Sequence, residues 1–557
     1  MGMARKIVIV GGVAGGASAA ARARRCNEDA EILMIEKDEH VSFANCGLPY
    51  YIGGEITDRK KLLVATPEKF ETWFNVRVWT HHLVTAIDRA AKTVTVLDRK
   101  AETSKTVEYD KLILAPGASP IVPPMDGIHS SNIFTLRNVA DTDRIKSYVD
   151  LNHQAKAVVI GAGFIGLEMV EMLHHLGMDV SLVELAPQVL PPLDPEMAHM
   201  VEEELQAKGV KLHIGNGLKG FETDGDKATA VQLNDGTSLP ADLVILAIGV
   251  RPSTELAQAA QLEIGKTGGI AINDYAQTTD PDIYAVGDAV EYRNGVTDIL
   301  QRIPLAGPAN RAGRVAGEHA ACDQSPPIPS VLGTAIVRAF GKVAAVTGCN
   351  QRCIDAMDYK AHHVIIPAKN HAGYYPGAQE MVIKLIYQPA DGKIIGAQIV
   401  GGDGVDKRID VIATVIRFGG TIDDLAGLDL SYAPPFGNAK DAVHLAAFAA
   451  QNDLRGIEAF TADPPEGDQV VDVRTQAEWD AGHLPNAVHM PLHEIRGRVS
   501  ELDAAMPTTV VCRGGQRAYY ASRILRQNGF DQIKTMSGGM MMRPHQEKKR
   551  QIQEQVK

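Results

Sequence analysis

Cysteine is scarce in this chain: six in 557 residues, Cys26, Cys46, Cys322, Cys349, Cys353 and Cys512. They are too few and too scattered for a disulfide framework. Cys349 and Cys353 lie four apart with no second pair nearby, which reads as structural or incidental cysteine rather than a zinc site. In Ser42-Phe43-Ala44-Asn45-Cys46-Gly47-Leu48-Pro49-Tyr50-Tyr51 a CxxxxC pair would need a cysteine at position 51, and the residue there is Tyr51. Cys46 is then either a buried structural cysteine or a thiol that works alone, through a mixed disulfide, persulfide or sulfenate with something small. No apolar run reaches the roughly 18 residues needed to span a bilayer. The N-terminus runs directly into Lys6-Ile7-Val8-Ile9-Val10-Gly11, a strand and a turn rather than a signal peptide. The expectation is a soluble, reduced, cytoplasmic protein with no membrane partner. Positive charge is also in deficit, with a net charge of −12. That argues against nucleic acid or an anionic membrane as a general partner and leaves room for a local basic pocket that takes a phosphorylated small molecule.

Glycine, by contrast, is abundant at 52, and 45% of the residues are apolar. This suits an α/β protein rich in tight strand-to-helix turns, and the length predicts three or four domains. Residues 6 to 36 read as strand, glycine turn, helix and strand. The turn Gly11-Gly12-Val13-Ala14-Gly15-Gly16 places Gly11 and Gly16 at the outer positions of a GxGxxG dinucleotide fingerprint, with Val13 in the middle, and Glu36 ends the next strand where a carboxylate accepts ribose hydroxyls. A second unit repeats the pattern. Ala157-Val158-Val159-Ile160 leads into Gly161-Ala162-Gly163-Phe164-Ile165-Gly166, a full GxGxxG, and Glu184 ends the following strand. A carboxylate there favours a free 2′-hydroxyl, so NADH over NADPH. Two such folds point to two nucleotides, FAD and a pyridine nucleotide.

The first helix carries Arg22, Arg24 and Arg25, either a solvated face or a phosphate site, since arginine presents a planar fork of donors. Residues 83 to 117 read as a hairpin or small sheet, and 247 to 252 as a strand ending in a turn. Asp288, after a strand and Gly287, either caps a helix or bonds the ribityl chain of a flavin. Residues 331 to 455 read as an α+β domain, with strands at 380–386 and 393–400 and helices near 405–418 and 438–451. Its Tyr374, Tyr375 and Tyr432 stand in Pro/Gly turns, as interface or as core. Residues 456 to 468 read as a linker, followed by a compact final domain. There Cys512 ends a strand and Cys512-Arg513-Gly514-Gly515-Gln516-Arg517 opens a helix, so backbone N–H groups and the arginines favour an anion on sulfur. The charged tail from Gln546 to Lys557 carries no assigned function.

Up to about residue 455 the sequence resembles the flavin-dependent pyridine nucleotide-disulfide reductases. The resemblance rests on GGVAGG at 11–16, SFANCGLPY at 42–50, APGA at 115–118, GAGFIG at 161–166, AIGVRP at 247–252 and TTDPDIYAVGDA at 278–289. Within them it is similar to the single-cysteine branch of coenzyme A-disulfide reductases, NADH oxidases and NADH peroxidases, and Val13 matches the first of these. The final domain resembles rhodaneses through DVR, GHLPNA and CRGGQR, and the whole resembles coenzyme A-disulfide reductase–rhodanese fusions, also described as NADH-dependent persulfide reductases. The resemblance implies two Rossmann-like domains, an α+β dimerisation domain and a C-terminal α/β rhodanese domain. Their expected extents are 1–150 and 249–330 for FAD, 151–248 for NAD, 331–455 for dimerisation and 469–557 for the rhodanese.

The resemblance also implies FAD contacts at Gly11, Ala14, Gly16, Glu36, Lys37, Asn45, Val84, Ala115, Gly117, Arg137 and Asp288, and NAD contacts at Gly161, Gly163, Phe164, Ile165, Gly166, Glu184 and Gly249. Coenzyme A contacts are implied at Arg22, Arg25, Ser42 and Asn45. A homodimer is implied in which tyrosines of one subunit, Tyr374 and Tyr432, with Tyr375 as an alternative for the first, reach the other's Cys46. The expected activity is NADH-dependent reduction of coenzyme A persulfide or disulfide, or of related polysulfide, at Cys46, with Cys512 carrying sulfane sulfur beside Arg517. The four residues between Cys512 and Arg517 give a CX4R loop that resembles the rhodanese loop, whereas the related phosphatases use one residue more. The rival expectations are an NADH oxidase or peroxidase with a sulfenic acid at Cys46, or a flavoprotein with a sulfur-delivery module.

Overall fold

The computed structural model describes residues 4–153 and 155–543, so the end of the region expected at 469–557, including the charged tail, lies outside the described residues. The chain divides into two compact units, Met1–Pro187 with Gly209–Gly333, and Gln188–Lys208 with Thr334–Lys557.

The first unit holds two parallel five-stranded sheets. One runs Ile283–Ala285, Lys111–Leu114, Lys6–Val10, Glu31–Ile35, Arg77–Trp79. The other runs Lys211–Ile214, Asp179–Glu184, Lys156–Ile160, Leu243–Leu246, Ile133–Thr135. Their central strands are near-continuous apolar runs because they are buried on both faces. In each sheet the strand that leads into the glycine turn, Lys6–Val10 or Lys156–Ile160, sits in the middle, and the order reverses there, which opens a crevice at the strands' carboxyl ends. Helices Ala14–Cys26 and Ala306–Cys322 pack through small residues. A side chain at Gly313 would meet Gly15 O at 2.2 Å, and one at Gly317 would meet Ala19 O at 2.2 Å. The stretch 83–117 is a three-stranded antiparallel sheet followed by a core strand.

The strand expected over 247–252 is corrected: one strand ends before this stretch and only its last three residues form another. Leu243–Leu246 belongs to the parallel sheet, and Val250–Pro252 pairs antiparallel with Ala118–Pro120. Gly249 at φ +112° forms the corner between them, a conformation that cannot continue a strand.

The second unit is built on an antiparallel sheet ordered Ala335–Ala339, Lys342–Gly348, Ile394–Gly401, Glu380–Tyr387, His362–Lys369. Helices Val405–Arg417 and Ala442–Leu454 accompany it, the latter starting only where Asp441 caps it. Segment Gln188–Lys208 is anchored on this sheet by buried Asp194, which takes Lys384 Nζ at 2.7 Å and Gln398 Nε2 at 2.7 Å. Breaking such a buried pair by removing one partner costs about 3–5 kcal/mol. The C-terminal sheet is parallel and runs Phe460–Thr461, Ile533–Met536, Thr508–Val511, Gln469–Asp472, Val488–His489.

The linker expected at 456–468 is corrected at its N-terminal end. Phe460–Thr461 is an edge strand of this last sheet, and buried Glu458 accepts hydrogen bonds from Thr535 Oγ1 at 2.8 Å and from Ser522 Oγ. A two-residue strand is too short to leave a period in the sequence. Among the described residues no helix is long and apolar enough to cross a membrane, and no cluster of His, Cys, Asp and Glu is disposed to hold a metal.

Candidate active site

The two glycine turns share one geometry. Gly11 has φ +95°, and a Cβ there would sit 2.2 Å from Ala115 O; Gly161 has φ +103°, and its Cβ would sit 2.3 Å from Ala247 O. At Gly16 and Gly166 a Cβ would lie 1.9 Å from the first glycine's oxygen, so helix and strand touch there. The middle position differs. Val13 has φ −97°, open to any residue, while Gly163 has nothing within 4 Å of where its Cβ would be, leaving space for a pyrophosphate. Ala14 and Phe164 open the two helices. Each strand-end glutamate folds back on its turn. Glu36 Oε2 accepts from Gly12 N at 2.8 Å and Glu184 Oε2 from Ala162 N at 2.7 Å. Burial pushes the Glu36 carboxyl up, against the lowering effect of the Gly12 and Asp38 N–H groups.

Cys46 lies in the single turn Asn45–Gly47 that opens helix Leu48–Ile52, and it is exposed. The chain reaches it through Ser42, at φ 44°, whose N–H donates to Gly12 O at 2.8 Å. A non-glycine residue in the left-handed region costs free energy and persists only where the surroundings enforce it. This contact ties the Cys46 stretch to the first glycine turn. With its amide oriented for hydrogen bonding, Asn45 donates to Arg137 O at 3.0 Å and accepts from Arg137 Nη1 at 3.1 Å. Arg137 Nη2 lies 3.7 Å from Asp288 Oδ2, and a Cβ on Gly117 would meet that same nitrogen at 2.7 Å. Asn45, Gly117, Arg137 and Asp288 are therefore brought together in one unit. Asp288 lies within the turn Gly287–Ala289 and makes no side-chain cap. Packing around the Cys46 thiol pushes its pKa up, and the Glu168 and Asp288 carboxylates add to this.

Glu168, which sequence reasoning missed, lies on helix Phe164–His175 and accepts from Tyr50 Oη at 3.1 Å. It thereby links the Cys46 helix to the second nucleotide turn. Ile165 on that helix is exposed and Phe164 half-buried. Lys37 is exposed, Val84 is buried at a bulge of its strand, and Ala115 continues the Lys111–Leu114 strand into the turn. With glycines that only a close-approaching group requires and carboxylates at both strand ends, these residues fit FAD in the first fold and NAD in the second.

The arginine cluster divides into three. Arg24 is buried and donates to the backbone oxygens of Asn27, Glu28, Ala30, Phe74 and Asn75. Arg22 is paired with Glu318 Oε2 at 2.6 and 2.9 Å, and Arg25 is exposed. In the second unit Tyr374 Oη and Tyr432 Oη lie 3.1 Å apart at 77% and 48% exposure. Tyr375 turns away to stack edge-on against His371 at 5.6 Å. The hydrogen bond to Tyr432 raises the Tyr374 pKa.

Cys512 is 2% exposed and ends strand Thr508–Val511. Gly515 N–H donates to its Sγ at 3.1 Å, at the start of helix Gln516–Arg526. Arg517 grips Glu478 in a bidentate pair at 2.7 and 2.6 Å, which holds the Glu478 carboxyl down to about 2. Arg513 makes a second fork, to Glu380 at 2.8 and 2.8 Å, and a Cβ on Gly514 would meet Pro367 at 2.4 Å. The Cys512 loop is thus clamped onto strands His362–Lys369 and Glu380–Tyr387 of the antiparallel sheet, whose connection holds Tyr374. Glu318, Glu380 and Glu478 were missed as well; each lies far from its arginine in sequence, and no local motif marks it.

Comparison with known proteins fits this division. The Pyridine nucleotide-disulphide oxidoreductase family matches residues 5–313, its dimerisation domain 340–443, and the Rhodanese-like domain 459–541. The chain is 35% identical over 448 residues to a coenzyme A disulfide reductase of Staphylococcus haemolyticus, covering 80% of this chain and all of that one. Two solved structures are similar over nearly the whole length. The reduced CoADR-RHD of Bacillus anthracis has a TM-score of 0.93 at 43% identity, covering 97% of this chain and 98% of that one. An NAD-dependent persulfide reductase from A. fulgidus has a TM-score of 0.91 at 38% identity, covering 96% and 99%.

Proposed function

The chain belongs to the pyridine nucleotide-disulphide oxidoreductases and ends in a rhodanese-like domain, and from that premise we propose that it is an NADH-dependent flavoprotein that reduces coenzyme A persulfide or disulfide, and related polysulfide, at Cys46. The observation that carries this reading is a lone, exposed Cys46 tied to both glycine turns, through Ser42 to one and through Tyr50 and Glu168 to the other. With Tyr51 where a second cysteine would stand, the sulfur that bonds Cys46 comes from the substrate.

The first glycine turn, Glu36, Lys37, Asn45, Val84, Ala115, Gly117, Arg137 and Asp288 would hold FAD, and the second turn, Glu184 and Gly249 would hold NADH. Bound FAD supplies the two-electron relay between NADH and sulfur. The Cys46 thiolate attacks a substrate sulfur. With coenzyme A disulfide, the S–S bond breaks, one coenzyme A leaves as thiolate, and the other stays as a mixed disulfide on Cys46. With the persulfide, attack on the inner sulfur expels hydrosulfide and leaves the same mixed disulfide. Two electrons then break that bond, returning the Cys46 thiolate and coenzyme A. Because Glu168 and Asp288 disfavour charge on Cys46, the neutral mixed disulfide is favoured over the free thiolate. Tyr374 and Tyr432 of a second subunit in a homodimer protonate the departing sulfur. Arg25, with Ser42 and Asn45, holds the coenzyme A phosphates and pantetheine, and Arg22 joins by sharing Glu318. Cys512 carries sulfane sulfur as a persulfide anion, cradled by the Gly515 N–H and the charge of Arg517.

The decisive measurement is anaerobic NADH oxidation with coenzyme A persulfide, run beside Cys46→Ser. Rapid hydrosulfide release that needs Cys46 supports the reading. No turnover there, with fast NADH oxidation once peroxide or air is admitted, replaces it by an oxidase or peroxidase. The choice of NADH has its own check. Glu184→Ala removes the charge that repels a 2′-phosphate, and the NADPH-to-NADH ratio of kcat/KM should rise about tenfold, the effect of roughly 1.4 kcal/mol.

A further inference from the structure

Cys349 and Cys353, set aside in the sequence as incidental, are brought together by the fold. Their sulfurs lie 2.9 Å apart and share a hydrogen bond, and both cysteines are free thiols. Each backbone is fixed. Cys349 follows strand Lys342–Gly348, donates its N–H to Ile395 O at 2.8 Å, and presses its carbonyl where a Cβ on Gly396 would sit at 2.0 Å. Cys353 N–H is held by Asn350 Oδ1 at 3.0 Å. The residues between them are anchored in turn, Asn350 Nδ2 to Pro192 O at 3.1 Å and Gln351 N to Asp194 Oδ1 at 2.8 Å. Cys349 is buried and Cys353 half-buried.

We propose that Cys349 and Cys353 form a second redox couple, separate from Cys46 and Cys512, that is oxidised to an intrachain disulfide by low-molecular-weight disulfides. The gap left to close, from 2.9 Å to the about 2.05 Å of an S–S bond, is less than an ångström. The more accessible Cys353 is the attacking sulfur. The shared hydrogen bond lowers its pKa to about 7, with Arg352 beside it, while the same bond and burial raise that of Cys349. An attacking thiol with a pKa near ambient pH is the effective one in exchange. Cys353 thiolate displaces one thiolate from the disulfide RSSR and becomes a mixed disulfide. Cys349 then attacks the Cys353 sulfur and expels the second thiolate. The protons of the two cysteines end on the two RSH released, and RSSR takes the two electrons.

The sequence supplies a direct readout, because trypsin cuts after Lys342, Arg352 and Lys360 and so separates the two cysteines. The full-length protein is incubated without NADH in oxidised glutathione, its remaining thiols are alkylated, and it is digested without reductant. The expected result is that peptides 343–352 and 353–360 run as one linked species that dithiothreitol separates. Cys353→Ser should abolish the link, and Cys349→Ser should trap glutathione on Cys353. Recovery of both wild-type peptides in alkylated form, while Cys46 has reacted with glutathione, would overturn the proposal. The wild-type digest decides this without any variant having to fold, and its outcome is independent of whether Cys46 reduces coenzyme A disulfide.

Discussion

Cys46 and Cys512 are the two thiols to which the proposed function assigns chemistry, and their surroundings are opposite. Cys46 is an exposed residue, yet packing around its thiol raises the pKa and two carboxylates add to this. Cys512 is buried, with a backbone N–H on its sulfur and two arginines on its loop, each held by a glutamate. The first environment penalises a lasting charge on sulfur and favours a covalent bond to an incoming sulfur. The second accommodates a sulfur anion and restricts what reaches it. The difference teaches that two sulfur sites need not be duplicates: on the proposed reading one exchanges electrons and the other holds cargo.

The comparison breaks or holds most visibly on removal of each thiol. Cys46→Ser should lower NADH-dependent reduction of coenzyme A disulfide by on the order of 10³-fold or more, the scale expected for loss of a nucleophile. Cys512→Ser should leave the same rate within about twofold, since no step on that substrate is assigned to it. Steady-state rates on both variants check this, and an equal loss in the two would mean that the sites act as one.

Next in size is Arg517→Ala, read by sulfane transfer from thiosulfate to cyanide. Removing one electrostatic partner of a developing anion costs about 10²-fold, and reduction at Cys46 should be untouched. The same variant has an acid signature. Glu478 has its pKa depressed in the folded state, so its pairing contributes stability that is fully present above its unfolded value and is lost as pH falls toward about 2. Acid titration of the wild type should show this loss between about pH 4.3, the ordinary glutamate value, and that folded value; Arg517→Ala should reduce it, leaving the smaller part due to the Thr475 hydrogen bonds.

A smaller effect tests the Cys46 side. Glu168 raises the Cys46 pKa, so Glu168→Gln should move the pH profile of Cys46 alkylation to lower pH. Gln keeps a hydrogen-bond acceptor for Tyr50 Oη, which separates the loss of charge from the loss of the contact. A shift to higher pH would show that the carboxylate stabilises the thiolate instead.

Of the residues these tests turn on, Glu168 and Glu478 were not legible in the chain, while Cys46, Cys512 and Arg517 were. The glycine turns were, because Gly11, Gly16, Gly161 and Gly166 are demanded by local backbone geometry that leaves a fixed spacing. The strand-end Glu36 and Glu184 were legible for the same reason, and so was the loop at Cys512. Arg22, Arg24 and Arg25 looked alike, yet one is buried, one paired and one exposed. Their fates are set by helix Ala306–Cys322 and by Phe74 and Asn75, none of them adjacent in sequence. Glu168, Glu318, Glu380 and Glu478 each meet a distant partner, and a lone glutamate carries no pattern. The Cys349–Cys353 pair failed in the other direction. Its spacing was visible, but only the anchoring of Asn350 and Gln351 shows that the sulfurs meet.

The smallest expected effect sharpens the comparison most finely. Arg513 and Glu380 form a half-exposed fork, worth about 0–1 kcal/mol by the usual range for such pairs. Glu380→Gln should therefore change the melting temperature little. It should, however, loosen the Cys512 loop from the sheet on which Gly514 rests against Pro367. If access to Cys512 requires that loop to lift, its alkylation should quicken by at most about fivefold, the equivalent of 1 kcal/mol. Alkylation of Cys46 in the same sample serves as the internal standard and should not move. An unchanged Cys512 rate would mean that its shielding comes from within the C-terminal domain, from Gly539 packed on the Cys512 carbonyl rather than from the clamp.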